Sequence, residues 1–342
     1  MNQKTKKKLI SLLQLAIGIG LIVLIFFKIE NKSDLLIAVR TAARHWDLLL
    51  SGTAGFVLCI FYCTLRWKLL LDAQGLKLSL GRALVLYFVG HFFNSFLFGV
   101  TGGDFVKAYF VYKEAPNKKT EAVSTVFLDR IVGLLALILL TVIIMAIRLP
   151  FFLTCKETRL ALAFNVILLI AVVGGLFVVF RQNLFERWAF FRRLEQKTSL
   201  GQVVSRVYNA FHLCLNHPGL LFKTIVLSLV NHIWLIMCIF FLGMALEIHL
   251  PLADYITVFL IIDAVAAIPL TPGGLGTREA ATIFLLGVLD VPETRALSLS
   301  LLIYATIMVW SLVGGIIYLF YSYSLGQAPS TLTTEDRGMR SG

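Results

Sequence analysis

The chain has 342 residues, 58% of them hydrophobic and 15% charged, and its mean hydropathy is +0.86. A water-soluble core cannot absorb that much apolar surface, so composition excludes a soluble globular protein and implies a polytopic membrane protein. The formal net charge of +12 is spread in short basic runs between apolar stretches, which fits membrane topology and not a nucleic-acid-binding surface.

In chain order, Lys4 and Lys6 to Lys8 precede an unbroken apolar run over 9–27, and Lys28-Ile29-Glu30 supplies no small-residue cleavage site. An uncleaved first transmembrane helix is expected rather than a signal peptide. Further apolar segments fall at 47–65, 83–100, 123–147, 160–180, 220–242, 252–270, 276–289 and 296–321. Crossing about 30 Å of hydrocarbon takes about 20 apolar residues as a helix, so not every segment spans.

Basic residues concentrate in cytoplasmic loops. That rule puts four regions inside: the N-terminus, the loop with Arg66, Lys68, Lys77 and Arg82, the stretch with Lys107, Lys113, Lys118 and Lys119, and the loop from Arg181 to Lys223. Segment 83–110 then starts and ends on one side and is too short to cross twice. It is expected to form a re-entrant hairpin entering from the cytoplasm and turning at Gly102 and Gly103. Segment 252–289 is expected to form a second hairpin entering from outside. The predicted fold is all-α, with six full transmembrane helices and two oppositely oriented re-entrant hairpins, as an inverted repeat produces. Residues 1–325 are read as one membrane domain and 326–342 as a disordered tail. The expected location is the inner (cytoplasmic) membrane, multi-pass, with both termini cytoplasmic. The loop over 182–218 alternates aromatic and basic residues, as an interfacial amphipathic helix does.

The stretch Ile268 to Glu279 places Pro269, Pro272, Gly273, Gly274 and Gly276 inside an apolar segment, followed by Arg278 and Glu279. A continuous helix is impossible there, and backbone freed from helical bonding is tolerated at membrane depth only against protein or a polar cavity. A guanidinium at the N-terminus of the following half-helix suits an anionic oxygen group such as a phosphate. The alternative is that Arg278 and Glu279 pair with each other and fix the hairpin. The first half has a counterpart in Asn94, Gly102, Gly103, Asp104 and Lys107. Asp104 is either the cap of a helix beginning at Phe105 or a member of the site. Asp129 and Arg130 lie about two turns into an apolar run, where charge requires a partner, and Glu279, Arg278 and Lys107 are the candidates. Asp263 is a lone carboxylate within the second hairpin. The five cysteines and the histidines show no metal-ligand spacing, and no nucleotide-binding or hydrolase motif appears. No metal or cofactor is expected.

Taken together, Arg66-Trp67, Asn94 with Gly102-Gly103-Asp104, Asp129-Arg130 and Ile268 to Glu279 resemble the flippase-like family of the lysylphosphatidylglycerol synthase transmembrane region, which includes the YbhN-type membrane proteins. The resemblance covers nearly the whole chain. Phe98 and Lys107 stand where the family tends to have a proline and an arginine, so the first hairpin is expected to turn differently and to hold phosphate less rigidly. The resemblance implies a lipid translocase that moves a phospholipid or lipid-linked phosphate headgroup between leaflets. It also implies a substrate site drawn from Arg278, Glu279, Arg130, Asp129, Asp104, Lys107, Asn94 and Arg66. The partners implied are membrane phospholipids or lipid-linked glycans, with a lipid or glycan synthase as a protein partner. Bifunctional members carry a soluble aminoacyl-transferase domain with no counterpart in these 342 residues, so lipid aminoacylation is not expected. Two alternatives stand beside transport: an intramembrane transferase acting on a lipid phosphate, and an accessory partner of a synthase. Transport is preferred because no candidate carboxylate falls in a recognised catalytic constellation.

Overall fold

The computed structural model describes residues 32–96, 102–180, 217–267 and 276–326. The expected first span over 9–27, nearly all of the loop over 182–218, the turn residues Pro269, Pro272, Gly273 and Gly274, Phe98 and the tail beyond Gly326 lie outside those residues. The described elements are helices: α1 (Lys32–Arg44), α2 (Trp46–Ala73), α3 (Leu80–Phe96), α4 (Gly102–Glu114), α5 (Lys119–Ile147), α6 (Leu149–Leu153), α7 (Lys156–Phe180), α8 (Pro218–Ala245), α9 (Leu252–Ala266), α10 (Thr277–Gly287) and α11 (Glu293–Gly326), with one 3-10 turn at Pro116–Lys118.

Four of them, α2, α5, α8 and α11, are long and apolar enough to cross a membrane. Their outward side chains are apolar, with Phe222, Ile147 and Phe320 each about 70% exposed, a surface suited to lipid. These four match expected spans. The remaining expected span, 160–180, lies within α7, a helix of 25 residues. The expected hairpin segments each contain two short helices: α3 and α4 have 17 and 13 residues, α9 and α10 have 15 and 11. At 1.5 Å per residue these measure about 16 to 26 Å, each less than the hydrocarbon thickness.

Helices α3 and α4 fold back on each other and are pinned at both ends. At one end Asn94 Oδ1 accepts from the backbone N–H of Gly103 at 2.9 Å. At the other Arg82 Nε donates to Glu114 at 2.5 Å. Between them the backbones nearly touch, since a Cβ on Gly103 would lie 1.9 Å from the Gly90 carbonyl oxygen. Gly102 and Gly103 therefore lie in the first turn of α4, and Gly103 acts by close approach to α3.

The order of packing repeats along the chain. Helices α2 and α8 pack antiparallel, with Gly52 against Leu242 and Gly55 against Cys238. Trp234 Nε1 also donates to the Gly55 carbonyl at 2.9 Å. The pair α3–α4 packs on α5 and α11, and the pair α9–α10 packs on α11 and α5. The C-terminal end of α11 is tied to the base of the first pair through Tyr321 and Glu114, 3.0 Å, and Arg148, just past α5, is ion-paired to Asp254 at the base of the second. Exchanging α2 to α5 with α8 to α11 thus returns the same partners. Cys59 and Cys238 are buried in the packing, and all four described cysteines are free, as expected of packing residues.

The Gly103 contact yields a stability test. Gly103→Ala should lower the thermal unfolding midpoint of the detergent-solubilised protein by several degrees, on the order of 1–3 kcal/mol of overpacking. Gly174→Ala, where a Cβ meets nothing within 4 Å, should leave it unchanged or raise it slightly. Equal midpoints for the two variants would refute the close-approach role.

Candidate functional site

The charged residues singled out by their apolar surroundings are brought into two groups. The first is built on α2, α4, α5 and α8. Asp129 of α5, 3% exposed, accepts from Arg66 Nε of α2 at 2.7 Å. Arg66 Nη1 donates to Ser228 Oγ of α8 at 2.9 Å. Gly133, one turn after Asp129, leaves room for this guanidinium, since a Cβ there would lie 2.9 Å from Arg66 Nη1. Lys107, in the first half of α4, places its ammonium 3.8 Å from Asp129, over the rings of Tyr87 at 4.1 Å and Trp67 at 4.4 Å. Two cations thus share one carboxylate, and two aromatic faces stabilise the second cation.

Asp104 does not cap α4. That helix begins two residues before it, and its carboxylate is ion-paired with Arg130 of α5. Asp129 and Arg130 are adjacent in sequence and about 100° apart around α5, so they face different partners. Asp129 meets Arg66 and Lys107, and Arg130 meets Asp104. Among the described residues neither pairs with Arg278 or Glu279, contrary to one expectation. Asn94 holds α4 to α3 through Gly103, which is a clamp within the first helix pair.

The second group opens α10. Gly276 adopts φ 83°, a conformation that costs glycine little, and its N–H donates to the Glu279 carboxylate. Ser300 Oγ of α11 donates to the other carboxylate oxygen at 3.2 Å. Glu279 therefore caps the helix and fastens it to α11. Arg278, 7% exposed, is 3.6 Å from Glu279 and 5.6 Å from the Tyr304 ring centroid. Its Nε and Nη2 are buried without a hydrogen-bond partner. Arg278 Nη2 and Glu279 thus form the ion pair that the mutual-pairing alternative expects, but without a hydrogen bond, and Nε has no polar partner. Asp263 of α9 is close enough to Arg278 to interact electrostatically.

A cavity of about 420 Å³ opens beside the first group, lined by Arg66, Asp129, Arg130, Asn231, His232 and the end of α9 at Ala266 and Ala267. Asn231 and His232 were not among the expected site residues. Their signal was present, since an adjacent amide and imidazole midway along an apolar span are conspicuous. For Ser228, Gly133 and Ser300 the sequence carries no such signal. Among the described residues no group of three or more His, Cys, Asp or Glu is placed to hold a metal ion.

Leaving Arg66 buried without Asp129 has a predictable cost. Asp129→Leu should destabilise the protein by about 3–5 kcal/mol, and Arg66→Leu/Asp129→Leu together should recover most of it. Thermal unfolding in one detergent compares them, and a single variant as stable as wild type would remove the pair from its structural role.

The model of the lysylphosphatidylglycerol synthase TM region matches residues 11–315 of the chain. No curated protein and no solved structure matches it.

Proposed function

The chain belongs to the lysylphosphatidylglycerol synthase TM-region family, and from that premise we propose that it is a lipid translocase, moving a phospholipid or lipid-linked phosphate headgroup between the leaflets of the inner (cytoplasmic) membrane. The observation that carries this reading is Arg278: a buried guanidinium whose Nε and Nη2 make no hydrogen bond, with Glu279 at 3.6 Å as its ion-pair partner, in the first turn of α10. Burying an unsatisfied charged donor is costly. The positive end of the helix and the guanidinium fork together suit a phosphate oxygen.

In this reading the pairs α3–α4 and α9–α10 are re-entrant hairpins entering from opposite faces, and the helix order is an inverted repeat. Both termini are cytoplasmic. The headgroup moves between the hairpins past Arg278 and the Arg66–Lys107–Asp129 group, while the acyl chains stay in lipid. The short helix pairs, the first of them pinned at both ends, and their exchangeable packing support it, as does the excess of cations over anions around Asp129. A lipid or glycan synthase in the same membrane is the class of partner that would supply the cargo.

Reconstitution in liposomes with labelled phospholipids, without nucleotide, tests the proposal against protein-free vesicles. Wild type should exchange label between leaflets above that baseline. Arg278→Ala should reduce the excess at least about tenfold, a loss of one charge-assisted contact being on the order of 1.5–3 kcal/mol, and Arg278→Lys should fall between them. Folded wild type that exchanges no lipid tested would end the translocase reading.

A further inference from the structure

Two hydrogen-bond acceptors on α8 are left without donors where that helix lines the cavity. His232 Nε2 lies 3.2 Å from the carbonyl oxygen of Gly133. A carbonyl only accepts, so Nε2 carries the proton and the neutral ring keeps its lone pair on Nδ1. That Nδ1 is buried and has no hydrogen-bond partner. Asn231, one residue earlier and 8% exposed, leaves Oδ1 in the same condition.

The residues that carry these atoms line the cavity of about 420 Å³ with Arg66, Asp129 and Arg130, while Oδ1 and Nδ1 themselves lie beneath its surface. Water in that space does not reach the two acceptors, so each stays unmet while no ligand is bound, and burying a polar atom unmet is costly. A ligand with donors that draws the Asn231 and His232 side chains toward the cavity relieves that cost, and a ligand without donors does not. Sites built this way discriminate strongly against analogues that lack the matching polar group. A phosphodiester has no N–H or O–H of its own, so the donors must come from the rest of the headgroup.

We propose that Asn231 and His232 form a headgroup-reading subsite that selects phospholipids whose headgroup bears hydroxyl or ammonium donors over those that bear none. Arg66 and Arg130, which line the cavity, attract the phosphate, and the α8 acceptors read the group attached to it. This deepens the lipid reading above and rests on a lipid headgroup entering the cavity. Asn231 and His232 are specificity-determining, while Arg66 and Asp129 hold the wall to which they belong.

The test uses the full chain in detergent with lipids of identical acyl chains, in two matched competitions. Phosphatidylglycerol competes with phosphatidylmethanol, which has the same charge and no hydroxyl. Phosphatidylethanolamine competes with phosphatidylcholine, which is zwitterionic and has no N–H. Retained lipid is read by native mass spectrometry, with leaflet exchange measured in parallel. Wild type should prefer the donor-bearing lipid about tenfold in at least one competition, as one or two hydrogen bonds imply. The competition that discriminates identifies hydroxyl or ammonium.

Asn231→Leu/His232→Phe should bring that ratio toward one. His232→Gln, which keeps a donor for Gly133 and an acceptor for the cavity, should retain most of it. Should the double variant fail to fold, Asn231→Leu alone decides. Equal retention within both pairs by wild type, or an unchanged ratio in the folded variant, overturns the subsite. Selective retention without leaflet exchange would instead overturn the translocase reading and leave the subsite standing.

Discussion

A carboxylate in hydrocarbon must be paired, and Asp129 satisfies that requirement with a ligand set drawn from two other helices. Arg66 reaches it from α2 at 2.7 Å and Lys107 from α4 at 3.8 Å. Arg66 then extends the network to Ser228 on α8. One buried anion thus fixes four helices relative to one another, two of them the antiparallel pair α2 and α8. The desolvation cost that makes such a charge rare also makes its geometry specific, because few arrangements satisfy every donor at once.

Around that centre the architecture depends on backbones approaching closely. In lipid there is little hydrophobic drive between helices, so small residues and hydrogen bonds to backbone carbonyls supply the association. Gly52 and Gly55 serve this purpose where α2 meets α8, Gly90 and Gly103 where α3 meets α4, and Gly314 where α11 meets α3. Tryptophan indoles add polar ties, from Trp234 to Gly55 and from Trp310 to Thr53. The short helix pairs are held at their bases by ion pairs or hydrogen bonds to the far long helix, so each half of the chain braces the helix pair of the other.

The two charged groups differ in how completely they are satisfied. Glu279 is saturated by Gly276 and Ser300, and Arg66 is engaged by Asp129 and Ser228, which makes both structural anchors. Arg278, Asn231 and His232 keep buried donors or acceptors unmet. Unmet polar atoms are costly in a closed core, and their concentration beside breaks in helices and a cavity is the physical basis for placing ligand chemistry there. The donors sit in the second half of the chain at α10. The acceptors sit on α8 against the cations of the first half.

Much of the fold was legible in the sequence because hydropathy and helix length are local quantities. Four apolar runs became α2, α5, α8 and α11, and two segments too short to cross twice became the pairs α3–α4 and α9–α10. Arg66, Lys107, Asp129, Arg130 and Arg278 were also legible, since a charge inside an apolar run stands out whatever its neighbours are. Their partners were not. Asp129 was expected near Arg278 or Glu279 as readily as Lys107, and Arg66 lies 63 residues from it. Asp104, read as a cap or a site member, proved to be the partner of Arg130. Ser228, Gly133 and Ser300 gave no sign at all, because a serine or glycine in a transmembrane helix is ordinary until a guanidinium or carboxylate lies against it. The sequence by itself determined which residues need partners, since that follows from burying charge in hydrocarbon. Only the tertiary structure decided which partners they found, because helix rotation and closest approach are set by packing among all the helices together.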